Sequence, residues 1–197
     1  DRLTLTIGGR VARTKSSFSN SQDGPLNFGP LASSGSTRET PFTPKFGASY
    51  KPDEHSLVYA NVAKGFRPGG GNTAVSALCG PDLGDLGIPT VPPSYKSDHV
   101  WSYEVGAKKA SGDGRLNVQA SAFVIDWSNI QQSLPLVRCG FAFTANLGKA
   151  VSKGFDAQLS VQPVDGLTLR GSLAYTDAHY TRTVVAGSGA LLVSKGD

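Results

Sequence analysis

Seven stretches of this chain alternate apolar and polar residues with a period of two. The segments that join them alternate just as regularly between long and short. Leu3, Leu5, Ile7 and Val11 are interleaved with Thr4, Thr6 and Arg10, and Phe42, Phe46, Ala48 and Tyr50 with Thr43, Lys45 and Ser49. Val58, Ala60 and Val62 form a less clean third set. Trp101, Tyr103, Val105 and Ala107 form the fourth, and Leu116, Val118, Ala120 and Ala122 the fifth. Phe155, Ala157, Leu159 and Val161 form the sixth, and Leu167, Leu169, Leu173 and Tyr175 the seventh. A period of two is that of a strand, whose successive side chains point to opposite faces. None of the seven apolar sets contains a charge.

The connections narrow the topology. Lys15 to Thr40 is long, Lys51 to His55 short, Arg67 to Asp98 long and Ser111 to Arg115 short. Gln131 to Phe143 is longer again, Pro163 to Gly166 is short, and a Gly/Ser-containing tail follows Ala178. An antiparallel up-and-down sheet gives this rhythm when its short turns share one rim and its long loops share the other.

Two architectures fit. A soluble sandwich packs its apolar faces together. A membrane barrel turns the apolar face to lipid and the polar face to a wet lumen, with short periplasmic turns and long external loops. Strands of about 9–13 residues exceed the usual sandwich strand of about 5–6 and match a tilted membrane span. Tyr50, Trp101, Tyr103, Trp127 and Tyr175 sit near strand ends, where an interfacial aromatic girdle belongs. The expected fold is therefore all-β: seven strands of a transmembrane barrel, or eight if Thr183 to Ser194 adds one. Short periplasmic turns make the first strand run outward, so the glycines of GFRPGGGN, after Phe66, emerge at the cell surface. There they are expected to let the chain turn into a long loop.

Composition excludes other classes. No run of about 18 apolar residues supplies a transmembrane helix. The first residues alternate where a signal peptide would carry a basic start and an apolar block. The net charge of +4 is spread singly over 19 basic and 15 acidic residues, which is not a nucleic-acid-binding patch. No serine lies in a nucleophile elbow, no histidine cluster has metal spacing, and GFRPGGGN lacks the ending of a phosphate loop. No catalytic residue, metal or cofactor is expected. Cys79 and Cys139 fall in successive external loops, where the compartment permits a disulfide; pairing and two unpaired buried thiols both stand as readings.

Particular segments then match a family. TPKFGASYKPDEHSLVYANVAKGFRPGG (Thr43 to Gly70), WSYEVGAKK (Trp101 to Lys109) and ASAFVIDWSNIQ (Ala120 to Gln131) resemble the barrel of TonB-dependent outer-membrane receptors. So does NLGKAVSKGFDAQLSVQPVDGLTLRGSLAYTDA (Asn146 to Ala178), the most specific of the four. The resemblance implies a bacterial outer-membrane barrel of about 22 strands with a plugged lumen, of which residues 1–197 form about a third. The chain does not open with Met, and the plug, the TonB-contacting segment and the closing strand are expected to lie outside it. The implied partners are outer-membrane lipid, the receptor's own plug, the TonB complex and a scarce small ligand such as a ferric siderophore, with cobalamin or a sugar as other cargoes. The competing classes are a passive porin or surface adhesin, and a soluble β-sandwich binding module.

Six charges on the polar faces, Arg10, Lys45, Glu104, Lys108, Asp156 and Arg170, are candidates for contact with the plug or a passing ligand. Solvated lumen wall is the plainer reading of each. Arg67, at the outer mouth, suits a bidentate anionic ligand. It equally suits pinning a loop to the rim.

Overall fold

The computed structural model describes residues 2–25, 27 and 29–197. One antiparallel sheet dominates, with strands in chain order: β1 (Leu3–Val11), β2 (Phe42–Tyr50), β3 (Ser56–Arg67), β4 (Asp98–Ala110), β5 (Leu116–Ser128), β6 (Lys149–Val164) and β7 (Leu167–Tyr180). Each strand pairs with its neighbours in sequence, so the sheet is an up-and-down wall whose edges are β1 and β7.

Register carries the face assignment through all seven strands. Leu5 lies opposite Ala48, which lies opposite Ala60, and the row continues through Val105, Ala122 and Phe155 to Tyr175. The Phe155 and Tyr175 rings stack at 5.9 Å. One residue along, Thr6, Gly47, Asn61, Glu104, Phe123, Gly154 and Thr176 form the corresponding row of the other face. Because strand side chains alternate exactly by two, one row fixes every other.

Burial is inverted relative to a water-soluble fold. The apolar face is bare: Ile7 is 81% exposed and Leu173 63%. Among the described residues, the buried core side chains (Cys79, Leu83, Ile130, Leu136, Phe143, Ala186, Val193) lie outside the seven wall strands, and within the wall only Pro44, Asp98 and Gly106 are buried. An apolar surface of this extent is stable only against lipid or a partner. Five consecutive outward rows, from Leu116, Val161 and Leu169 to Val62, Tyr103 and Val124, form the band, interrupted at its margins by Ser56, Lys109, Lys153 and Asp177. Rows two residues apart repeat every ~6.7 Å along a strand, so with ordinary barrel tilt the band is roughly 25 Å tall. That is the height of a membrane's apolar layer.

The short turns carry their own chemistry. In Ser111–Arg115 the Ser111 hydroxyl donates to Asp113 Oδ1 at 2.5 Å and the Arg115 amide donates to the same oxygen at 3.1 Å. Gly114 takes a positive φ of 72°, which a side chain would resist. In the turn before β3, Asp53 accepts from the Ser56 hydroxyl and the His55 amide, each at 2.9 Å. These bonds, the serine hydroxyl first in each case, hold both carboxyls below the ordinary aspartate range. The last turn, Asp165–Gly166, is shorter, and a register shift in β6 just before it falls at Pro163, which has no amide for the ladder.

The structure departs from the sequence reading in three places. The long connection after β1 is not loop throughout: Thr14–Gln22 and Leu31–Glu39 pair as a hairpin above β1 and β2. Thr183 to Ser194 is not an eighth wall strand. Val184–Val185 and Leu191–Val193 form a small separate hairpin around Gly187 and Gly189, the latter at φ 89°. Trp127 does not belong to the lipid-facing girdle: it lies opposite Val100 and Ala150, on the inner face. The other four girdle aromatics do face outward.

Candidate ligand-facing cap and inner wall

The inner face gathers the six charges that period-two reading put there. Arg10 pairs in register with Thr43, two residues from Lys45, and Lys45 faces Ala63. Glu104 and Lys108 lie on β4, Asp156 on β6 and Arg170 on β7, all in rows of that same face. Among the described residues none of the six forms an ion pair. Near the short-turn rim Lys108 and Arg170 line a concavity of about 710 Å³ with Gln119, Gln158 and Ser172. Gln119 donates to Gln158 across it at 2.6 Å.

Arg67 ends β3 directly opposite Asp98, the first residue of β4. Its Nη2 reaches Asp98 Oδ2 at 2.5 Å and its Nε reaches Oδ1 at 3.4 Å, while Nη2 also donates to the Gln131 carbonyl at 3.2 Å. The guanidinium lies over the Trp127 ring, 5.4 Å from its centroid. Asp98 is 1% exposed and accepts a further bond from the Gln131 amide at 3.2 Å. A buried carboxylate needs such partners, because desolvating it alone is costly. Gln131 closes the knot by donating to the carbonyls of Arg67, Pro68 and Lys96 at 3.3, 2.9 and 3.0 Å. Through these contacts Arg67 ties two loops to the barrel mouth. Trp127, Asp98 and Gln131 complete that knot; Asp98 and Gln131 were not singled out in the sequence, and Trp127 was read there as a girdle aromatic. The outward set Leu116, Val118, Ala120 and Ala122, extended by period two, would have placed Trp127 inside.

Above the rim the long connections fold into one cap. Residues 68–97 contain a short strand pair, Gly70–Gly71 with Ser94–Tyr95, a 3₁₀ turn at Ala77–Cys79 and a helix, α1 (Gly80–Leu86). Residues 129–148 form a hairpin of Gln131–Leu136 with Phe141–Asn146. Cys79 and Cys139 are joined by a disulfide, with Cα atoms 5.2 Å apart. Around it Leu83, Leu136 and Phe143 are buried against Val75, Leu86, Ile88 and Val91. Polar groups are matched inside this small core. Asn72 bridges the loops by donating to the Pro92 and Thr144 carbonyls (3.0 and 2.8 Å) and accepting from the Thr144 amide (2.8 Å). Buried Asp82 accepts from the amides of Arg138 and Cys139, both at 3.2 Å. Glu39, from the first hairpin, accepts from the amides of Gly69 and Ser97 at 3.3 and 2.8 Å.

The glycines after Arg67 serve close approach here and not a turn. None of Gly69, Gly70 and Gly71 has a positive φ. A Cβ at Gly69 would overlap the Tyr95 carbonyl, one at Gly70 the Tyr95 ring and one at Gly71 the Phe18 ring. The run lets the two ends of its own loop and the first hairpin meet without side chains between them.

A wall of antiparallel strands, apolar outside and charged inside, with its external loops folded into a cross-linked cap, defines the barrel of an outer-membrane receptor. The chain belongs to the TonB-dependent receptors: residues 1–194 match the family model described as TonB dependent receptor-like, beta-barrel. Barrels of this family lie in the bacterial outer membrane, and that is the membrane this apolar band spans. The metal-pseudopaline receptor CntO of Pseudomonas aeruginosa is 32% identical over 155 residues, covering 78% of this chain and 19% of that protein. The ferric-pyoverdine M114 receptor PbuA of Pseudomonas sp. strain M114 is 28% identical over 177 residues, covering 89% and 19%. Among solved structures, the ferric yersiniabactin uptake receptor FyuA from Yersinia pestis superposes with a TM-score of 0.71 at 18% identity, over 91% of this chain and 25% of that one. The chain thus spans about a fifth of the length of the curated relatives.

Proposed function

We propose that this chain is a sector, about a third, of a roughly 22-strand receptor barrel that imports a metal held by a small chelating ligand of the siderophore class. A plug fills the lumen in this reading, and TonB delivers the energy for passage. The observation that carries it is the cap, a cross-linked body fixed to the mouth through Arg67 and Asp98, which offers a preformed surface for capture. Relatives named for metal-pseudopaline and ferric-pyoverdine support the ligand class. Arg67 holds the capture surface in place, and Arg10, Lys45, Glu104, Lys108, Asp156 and Arg170 meet the plug or the passing ligand. The chain's part is binding and passage, without chemistry on the ligand.

The test is growth of a strain lacking the receptor on a panel of metal chelates, vitamins and glycans as sole sources, with and without a protonophore. Loss of growth on one chelate, restored by the receptor and abolished by the protonophore, is expected. Uptake that survives collapse of the proton gradient would make the barrel a passive porin. Loss confined to a vitamin or glycan would replace the ligand class. Unchanged uptake with altered attachment to surfaces would make it an adhesin.

A further inference from the structure

The outward face ends, at the cap side, in a basic cleft that neither ligand capture nor passage uses. The outermost rows run Phe66, His99, Ser128, Lys149, and below it Lys64, Trp101, Asp126, Val151, His179. Both belong to the face that turns its apolar band to lipid. The small hairpin after β7 borders an open cleft of about 600 Å³ over the upper row, lined by His99, Ser128, Lys149, Arg182, Val184 and Val185 among others. No residue of the inner-face rows contributes to this lining, and no carboxylate does. Lys149 and Arg182 are exposed, and among the described residues neither forms an ion pair. The nearby charges are already engaged, lie a row lower, or belong to Lys195 and Asp197, whose backbone is hydrogen-bonded to Thr183 and Tyr180. Lys153 and His179 both contact Asp177, at 3.3 and 3.2 Å, Lys64 sits 5.8 Å from the Trp101 ring centroid, and Asp126 projects from the row beneath.

We infer that this cleft binds the phosphorylated headgroup of a lipid in the outer leaflet. Height, charge and shape converge on that occupant. The cleft stands just above the rows of Trp101 and Tyr103, the aromatics that mark the membrane–water boundary. A lipid whose phosphate reaches Lys149 and Arg182 lays its acyl chains down the apolar rows of Val62, Val124 and Phe155. A guanidinium binds phosphate oxygens in pairs and an ammonium adds a point charge, the combination that recognises anionic headgroups beside membrane spans. The inference does not depend on which ligand the receptor carries.

The test uses the whole receptor, purified in detergent, with diphosphoryl lipid A as probe and retention followed by native mass spectrometry. Wild-type receptor is expected to retain the lipid. K149A/R182A is expected to bind it about 10- to 30-fold more weakly, the order set by losing two cations from an anionic headgroup site, and K149R/R182K is expected to restore retention. Dephosphorylated lipid A should bind wild-type receptor as weakly as the diphosphoryl form binds the double alanine variant, and excess inorganic phosphate should not displace the lipid. Equal retention of the dephosphorylated lipid by wild-type receptor would overturn the inference without any variant, so the test survives if K149A/R182A fails to assemble. Undiminished retention by an assembled K149A/R182A would overturn it as well. Displacement by inorganic phosphate would assign the cleft to a soluble anion and overturn the lipid assignment.

Discussion

Arginine in place of Leu173 is expected to stop the receptor from accumulating as a folded outer-membrane barrel, while arginine in place of Ser172 leaves assembly intact. The two residues are adjacent on β7 and differ in face. Leu173 lies in the middle outward row, opposite Ala157, with two apolar rows on either side. Its row runs on through Ala157, Ala120 and Ala107, none of which could hydrate or pair an arginine. A guanidinium at the bilayer midplane costs about 2–4 kcal/mol, a large share of the roughly 5–15 kcal/mol that holds a domain together. Ser172 pairs with Gln158 on the inner face and borders the concavity shared by Lys108 and Arg170, where water and polar groups receive a cation. The same pair of outcomes holds one row nearer the periplasm for Leu159 and its neighbour Gln158. Heat-modifiable migration of membrane-extracted receptor reads the result. Equal assembly of the Leu173 and Ser172 variants would contradict the assignment of faces.

Replacing both Cys79 and Cys139 by serine is expected to loosen the cap while the wall stays folded. The disulfide closes a separation of 60 residues, for which chain entropy gives a stabilisation of about 4 kcal/mol as an upper figure. The cap's apolar core is small, centred on Leu83, Leu136 and Phe143, and has little else of that size to replace it. Asn72 and Asp82 still bridge the loops, so the variant should open transiently without losing its fold. Faster proteolysis within residues 75–91 and 131–146 on whole cells, with unchanged barrel migration, is the expected reading. Protease resistance equal to the wild type would show that packing alone holds the cap.

The wall was legible because lipid imposes one rule on every strand. An outward side chain in the band must be apolar, and its neighbours, facing water, need not be. Leu5, Ala48, Val105 and Phe155 obey that rule separately, which is why register could align them in one row. Where the chain leaves the membrane the rule lapses. Thr14–Gln22 and Leu31–Glu39 pair as strands, yet their Ser, Thr and Asn residues show no apolar face, so only a long connection could be read there. Gly187 and Gly189 break what looked like an eighth strand into a hairpin. Trp127 misled through its aromatic character, although its parity with Val118 and Ala120 pointed inward.

The candidate site was less legible than the wall, since its residues acquire meaning from partners distant in sequence. Arg67 and Asp98 are 31 positions apart, and Gln131 reaches both across another 33. Nothing local to GFRPGGGN announces that Tyr95 and Phe18 press against its glycines. Sequence identified the glycines and the arginine, and assigned the glycines a turn because a long loop followed. Contacts from the far end of the same loop and from the first hairpin explain them instead.

Spin labels placed singly at positions 167 to 176 of β7, in the receptor reconstituted in bilayers, test the central claim most directly. The account predicts that labels at 167, 169, 171, 173 and 175 are relaxed by oxygen dissolved in lipid, and that those at 168, 170, 172, 174 and 176 are relaxed by a water-soluble nickel chelate or held by the plug. Oxygen accessibility should peak near 173. A profile with no period of two, or one with the two sets exchanged, would contradict it.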